Sequence, residues 1–175
     1  MDRMVKYDLE HTFVTSDHHF GGAKHGIIHE STEEEDARHV ELWNGIVGKD
    51  DIVLYVGDFC DGVIADLEAL HEKLNGRKIL IKGNHDQLDD EWYRCMFEDV
   101  VKELRIDELN LRLVHVKEGA SERLPGERLI YGHEHRWLES RPLTTPDSIC
   151  VCAKWHGWKP ISLAEAIRQM EASNS

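Results

Sequence analysis

Lys78-Ile79-Leu80-Ile81-Lys82-Gly83-Asn84-His85-Asp86 is the stretch on which the fold is read. Three apolar residues in a row between two lysines have the pattern of a short buried strand, and Gly83 turns the chain into a loop of polar, ligand-type side chains. The same pattern stands upstream, where Ile52-Val53-Leu54-Tyr55-Val56 ends at Gly57-Asp58-Phe59. A shorter strand, Thr12-Phe13-Val14-Thr15-Ser16, runs into Asp17-His18-His19-Phe20-Gly21-Gly22. Helices are expected between these strands. Ser31 with Glu34 makes a capping box, after which Ala37, Val40, Trp43, Ile46 and Val47 recur at helical spacing up to Gly48. A second helix is expected from about Asp61, with Ile64, Leu67, Leu70 and Leu74 on one face and Gly76 as its stop. Strand, helix, strand, helix, strand implies parallel pairing with right-handed crossovers, an α/β arrangement.

The second half changes character. After a short helical stretch near Asp90 to Phe97, strands are expected at Val100–Leu104, Leu111–His115, Arg128–Tyr131 and Ile149–Cys152, with no long helix between them. Lys117–Glu127 reads as a loop, and Ser162 with Glu165 caps a last helix to about Met170. There is no internal repeat, so residues 1–175 are expected to form a single domain.

Composition narrows the function classes. The chain has 41% hydrophobic residues, enough for a core, and no apolar run approaches the ~20 residues that span a bilayer. Its start has no apolar secretory stretch, and a cytoplasmic protein with no membrane contact is expected. Cys60, Cys95, Cys150 and Cys152 form no disulfide framework and are read as reduced, with the thiols of Cys150 and Cys152 on opposite faces of their strand. A formal net charge of -13 repels a polyanion and argues against extended contact with duplex nucleic acid. A local cation site would still attract a small phosphate. With 12 histidines, the question is where they sit.

Polar clusters fall where expected strands end: Asp17-His18-His19, Asp58, Asn84-His85-Asp86, His115 and His133-Glu134-His135. Loops at one edge of a sheet converge in space. Gly57, Gly83 and Gly132 precede three of the clusters and suit sharp turns with close backbone approach to a ligand. A lone catalytic zinc takes about three protein ligands. Asp17, His19, Asp58, Asn84, His115, His133 and His135 offer more than that and suit two ions sharing one carboxylate. The i, i+2 spacing of an extended chain puts Asp17 beside His19 and His133 beside His135, with His18 and Glu134 turned away. Imidazole, carboxylate and amide donors together favour Mn, Fe, Zn, Co or Ni over calcium.

In this order, Asp-x-His, Gly-Asp, Gly-Asn-His-Asp, His and Gly-His-x-His, the motifs from about Thr12 to His135 resemble those of the calcineurin-like metallophosphoesterase family. Ile149–Glu165 is also similar to the closing strand and helix of its small single-domain members. The resemblance implies a two-layer β-sandwich of mixed sheets flanked by helices, with Asp17, His19, Asp58 and His135 around one divalent metal ion, manganese above all. Asp58, Asn84, His133 and His115 would hold a second. His85 would lie beside the metals as a catalytic residue, and Asp86 would orient its ring. The sequence departs from the family's pattern after His115, where Val116 and Lys117 stand in place of a nearby proline, and at Gly22, where small members carry a histidine for which His25 is the stand-in.

The expected chemistry is phosphate-ester hydrolysis, on phosphodiesters first, with nucleotides or cyclic phosphates as candidate small substrates. Two ions roughly 3.5 to 4 Å apart lower the pKa of a bridging water and neutralise phosphoryl oxygens. Two cations, the two carboxylates and hydroxide sum to about +1, so the crevice attracts an anion although the surface does not. A protonated His85 would stabilise developing charge or protonate the leaving oxygen. The alternative is a non-catalytic interaction scaffold on the same fold, against which the full ligand set argues. A zinc deaminase would need a Pro-Cys-x-x-Cys pair that the chain lacks. Either a monomer or a homodimer fits the sequence.

Some of the same residues also suit plainer roles. Asp58 suits a helix N-cap and Asp17 a turn. Glu33-Glu34-Glu35-Asp36 suits a helix dipole. Trp137, Trp155 and Trp158 are expected to pack in the core or at an interface rather than stack on a base. His11, His18, His25, His29, His39, His71 and His156 are expected at the surface or behind the ligands.

Overall fold

A computed structural model of the chain describes residues 6–21, 32–61, 64–117, 122–135 and 143–173. The expected strand β1 spans Thr12–Thr15, β2 Ile52–Tyr55 and β3 Arg77–Ile81, and each pairs in parallel with the next. β4 (Asp99–Val101) continues this sheet in parallel, and β10 (Ile161–Ser162) closes it antiparallel to β1. A second sheet has the order β5 (Glu103–Ile106), β6 (Leu111–Val114), β7 (Arg128–Tyr131), β9 (Ser148–Cys150), β8 (Thr144–Thr145). β6, β7 and β9 run parallel, with β5 and β8 antiparallel at the edges. The chain is thus an α+β fold built on two mixed five-stranded sheets.

Alternation along the strands explains the layers. Val14, Leu54, Val56, Ile79 and Ile81 meet Ile106, Leu111, Leu113, Ile130 and Ile149 in one buried cluster between the sheets. The other face of the first sheet, through Phe13, Val53, Tyr55 and Leu80, packs on Trp43 of α1 (Glu33–Asn44), Leu67 of α2 (Ile64–Lys73) and Tyr93 of α3 (Asp90–Arg94). The last helix, α4 (Leu163–Ala172), begins at Ser162, whose hydroxyl accepts the Glu165 N–H, and adds Leu163, Ala166 and Met170 to the cluster between the sheets. None of the described helices is long and apolar enough to cross a membrane.

Four local expectations are corrected. The capping box is Thr32 with Glu35: the Thr32 hydroxyl accepts the Glu35 N–H at 3.2 Å and the Glu35 carboxylate accepts the Thr32 N–H at 2.8 Å. Ser31 and Thr32 each have a glutamate three residues on, so spacing does not choose between them, and Ser31 lies outside the described residues. α2 begins at Ile64, not at Asp61, whose carboxylate is engaged elsewhere. Val100–Leu104 is two strands, because the chain leaves one sheet for the other at Lys102: Val100 packs with the helices and Leu104 against the cluster between the sheets. Cys150 and Cys152 share a face, with their sulfurs 3.3 Å apart, as an i, i+2 pair must.

His71 on α2 packs against Phe97, ring centroids 4.8 Å apart. Burial, aided by the Lys78 ammonium, pulls its pKa down to about 3. The folded state therefore keeps His71 neutral while the unfolded chain protonates it below about 6.5. Its contribution is whole above that pH and drains away between there and about 3. Urea unfolding at pH 7 and pH 5 checks this: the wild type should lose on the order of 1–2 kcal/mol over that interval through His71, and His71→Leu should flatten the slope.

Candidate metal centre

Each ligand-type residue sits one to four positions past a parallel strand: Asp17 and His19 after β1, Asp58 after β2, Asn84 and His85 after β3, His115 after β6, His133 after β7. Parallel strands end at a common edge, so the two sheets deliver these loops to one place. They are stitched there by the backbone bonds Asp17 N–H to Gly57 O, Gly132 N–H to His115 O and Ser16 N–H to Val151 O.

Among the described residues, three groups of three side chains gather their ligand atoms within 4.8 Å of one another: Asp17, His19 and His135; Asp58, His115 and His133; and His19, Asp61 and His85, which shares His19 with the first. Asp58 Oδ2 lies between the first two groups, 3.7 Å from His19 Nε2 and 3.1 Å from His115 Nε2, buried and without a well-aligned hydrogen bond. Asn84 Oδ1 is 3.1 Å from His115 Nε2, and Asp17 Oδ1 is 3.8 Å from His135 Nε2. All seven residues expected from the sequence to bind metal are therefore gathered at this edge. A buried carboxylate oxygen facing two imidazoles, with a second carboxylate beside it, fits a cation site.

The backbone takes an unusual path to achieve this. Asp17, His19, Asp58 and His133 have φ of +57°, +49°, +57° and +70°, the left-handed region. The expectation of an extended chain at Asp17-His18-His19 is corrected, although its outcome holds: His18 turns away, its Nδ1 2.8 Å from the Tyr55 hydroxyl and its ring stacked on Phe20. Gly83 shows how tightly the loops meet. A Cβ there would run into Asp58 Oδ1 and sit 2.6 Å from the Asp58 nitrogen. At Gly57, with φ +83°, a Cβ would enter the His115 ring.

Second partners fix the rings. His115 Nδ1 is 2.8 Å from the Val56 carbonyl, which turns Nε2 toward Asp58. Burial opposes charge on both His115 and Asp58, but their pairing prevails: Asp58 and the field of Asp17 push His115 up to about 9, and His115 holds Asp58 down at about 2. Burial pushes the Asp17 carboxyl above its usual range.

Asp86 does not do what was expected of it. Its Oδ2 accepts the N–H groups of Asp58 at 2.9 Å and Gly83 at 2.8 Å, and its Oδ1 accepts that of Phe59 at 3.1 Å. The carboxylate holding the His85 ring is Asp61, whose Oδ1 is 3.0 Å from His85 Nδ1 while its Oδ2 is 2.8 Å from His19 Nδ1. Sequence reasoning missed Asp61 by giving it to a helix start; a carboxylate three residues after Asp58 in a loop was the available signal. Cys152 was missed as well, and its thiol donates to Asp17 Oδ2 at 3.1 Å. Trp155 packs as expected, against the outer face of the second sheet with its indole N–H on the Glu134 carbonyl, and Trp158 stacks on His39. His25, His29 and Trp137 lie outside the described residues.

The gene 66 protein of Mycobacterium phage D29 is 30% identical over 194 aligned positions that cover 93% of this chain and 96% of the phage protein. The chain belongs to the family of that phage protein. Within the same family resemblance, the gene 66 protein of Mycobacterium phage L5 is 38% identical over 45% of the chain and 41% of its own length. An uncharacterized protein of Methanocaldococcus jannaschii is 26% identical, covering 91% of the chain and 90% of that protein. A crystal structure of a protein of unknown function from Aquifex aeolicus superimposes with a TM-score of 0.66 at 23% identity, over 90% of this chain and 97% of that one, and so shares the fold. No protein-family profile matches the chain.

Gly83→Ala should weaken manganese binding at least tenfold, as read by isothermal titration, with the circular dichroism spectrum unchanged. Undiminished affinity would show that the close approach of Gly83 to Asp58 is not needed for the site.

Proposed function

We propose that the protein is a phosphoesterase with a dinuclear metal centre and the calcineurin-like metallophosphoesterase fold, acting on phosphodiesters. The observation that carries this reading is Asp58 Oδ2, which faces His19 of one ligand group and His115 of another. Asp17, His19, Asp58 and His135 would hold one divalent ion, and Asp58, Asn84, His115 and His133 the other, with manganese the first candidate. When bound, such a pair supplies Lewis acidity and a hydroxide nucleophile at neutral pH.

The chain's own residues do the rest. His85 stands at the mouth, its ring 4.9 Å from that of His19 by centroid, with Nδ1 committed to Asp61. Its other ring nitrogen is then the one to meet a phosphoryl or leaving oxygen and hand over a proton. Because Asp61 also holds His19, one carboxylate sets both a metal ligand and the proton donor. Asp86 acts one step further back, as the carboxylate that fixes the turn around Asp58.

Hydrolysis of bis-p-nitrophenyl phosphate with manganese, before and after chelation, tests the activity; turnover that survives chelation contradicts it. Asp58→Ala should abolish both metal binding and activity. His85→Ala should keep the metals and lose roughly 10²- to 10⁴-fold in kcat, and Asp61→Asn should lose rate with a weakened metal site. Metal loss in the His85 variant would count against its assignment as proton donor.

A further inference from the structure

Beside His85 and Asp61 a crevice of about 260 Å³ opens toward the helical side of the first sheet, lined by Cys60, Asp61, Leu67, His85, Gln87, Leu88 and Tyr93. Its floor is the hydrophobic core itself: Leu67 and Tyr93 belong to that core and Leu88 packs against it. The volume is just under the ~300 Å³ at which sites for whole drug-sized ligands begin, and so suits one ring system. Its polar groups are few and mostly committed. Asp61 holds the two histidine rings, and Gln87, at the exposed mouth, offers an uncharged amide. Among the described residues, neither lysine nor arginine lines it.

We infer that this crevice receives the leaving group of the ester, and that it selects an uncharged, ring-bearing alcohol over a phosphate. The inference rests on the proposed phosphoesterase reading, because it is the position of His85 as proton donor that makes its far side the leaving side. A leaving alcohol seated against Leu67 and Leu88 puts its oxygen next to His85. A leaving phosphate, as from a nucleotide anhydride, would bring negative charge against Asp61 and an apolar wall, and the neighbouring Lys82 ammonium, over the Tyr93 ring and on the Leu88 carbonyl, is already paired with Asp90. Diesters with aryl or similarly flat leaving groups are therefore the preferred class, and phosphoanhydrides the rejected one.

Binding and turnover test this separately. In ¹H–¹⁵N spectra, the free alcohol 2-naphthol should shift the amides of Gln87, Leu88 and Tyr93 first. Leu88→Glu, which puts a charge in the crevice, should weaken that binding at least tenfold. In manganese-loaded protein, Gln87→Lys, an exposed change that leaves the fold intact even if Leu88→Glu does not, should raise kcat/KM for a nucleotide anhydride relative to bis-p-nitrophenyl phosphate at least fivefold. Naphthol binding elsewhere, or an unchanged substrate ratio in the Gln87 variant, would overturn the inference while leaving the hydrolase reading in place. Absence of any hydrolysis by the wild type would instead overturn the reading on which it rests.

Discussion

Two carboxylates hold the loops of this centre in each other's grip. Asp86 accepts the N–H groups of Asp58, Phe59 and Gly83, and Asp58 returns a bond by accepting the His85 N–H at 2.9 Å. The loop after β2 and the loop after β3 are thereby fixed as one body. Asp17 does the same for the second sheet by accepting the His133 N–H. This matters because left-handed backbone costs a non-glycine residue about 1–2 kcal/mol, and Asp17, His19, Asp58 and His133 all adopt it. Hydrogen bonds to a charged group are each worth roughly 1.5–3 kcal/mol, so the carboxylate-to-backbone bonds are of the right size to sustain that strain. Strain of this kind is tolerated where the surroundings over-determine it.

The clamp also decides the electrostatics. Asp58 Oδ1 is used by the His85 N–H, which leaves Oδ2 facing the imidazoles of His19 and His115. Burial makes each charge here costly, and the groups answer by pairing: His115 is pushed up and Asp58 down. On the proposed reading, two divalent ions held here would give a chain with a formal net charge of -13 a crevice suited to an anion. That attraction would be confined to the edge where the parallel strands of both sheets end.

Much of this was legible in the sequence because strand exits leave two signals at once, an apolar run and a glycine before a polar residue. Gly57-Asp58 and Gly83-Asn84 stand out as strand exits for that reason, and a side chain at either glycine would collide with a neighbouring loop. What was not legible was division of labour within a loop. Asp86 and Asp61 are both carboxylates near His85, and only three-dimensional placement tells which one meets the ring and which one the backbone. Cys152 was hidden by a mistaken assignment of strand faces, since residues two apart share a face. The break at Lys102 was invisible because both halves of Val100–Leu104 are equally strand-like, and only the change of sheet separates them.

Anomalous X-ray diffraction from crystals grown with manganese tests the central claim most directly. Two peaks should appear, one within coordination distance of Asp17, His19 and His135, the other of Asn84, His115 and His133, with Asp58 Oδ2 between them. A single peak that leaves Asp58 Oδ2 unshared, or manganese bound only away from this edge, would contradict the account.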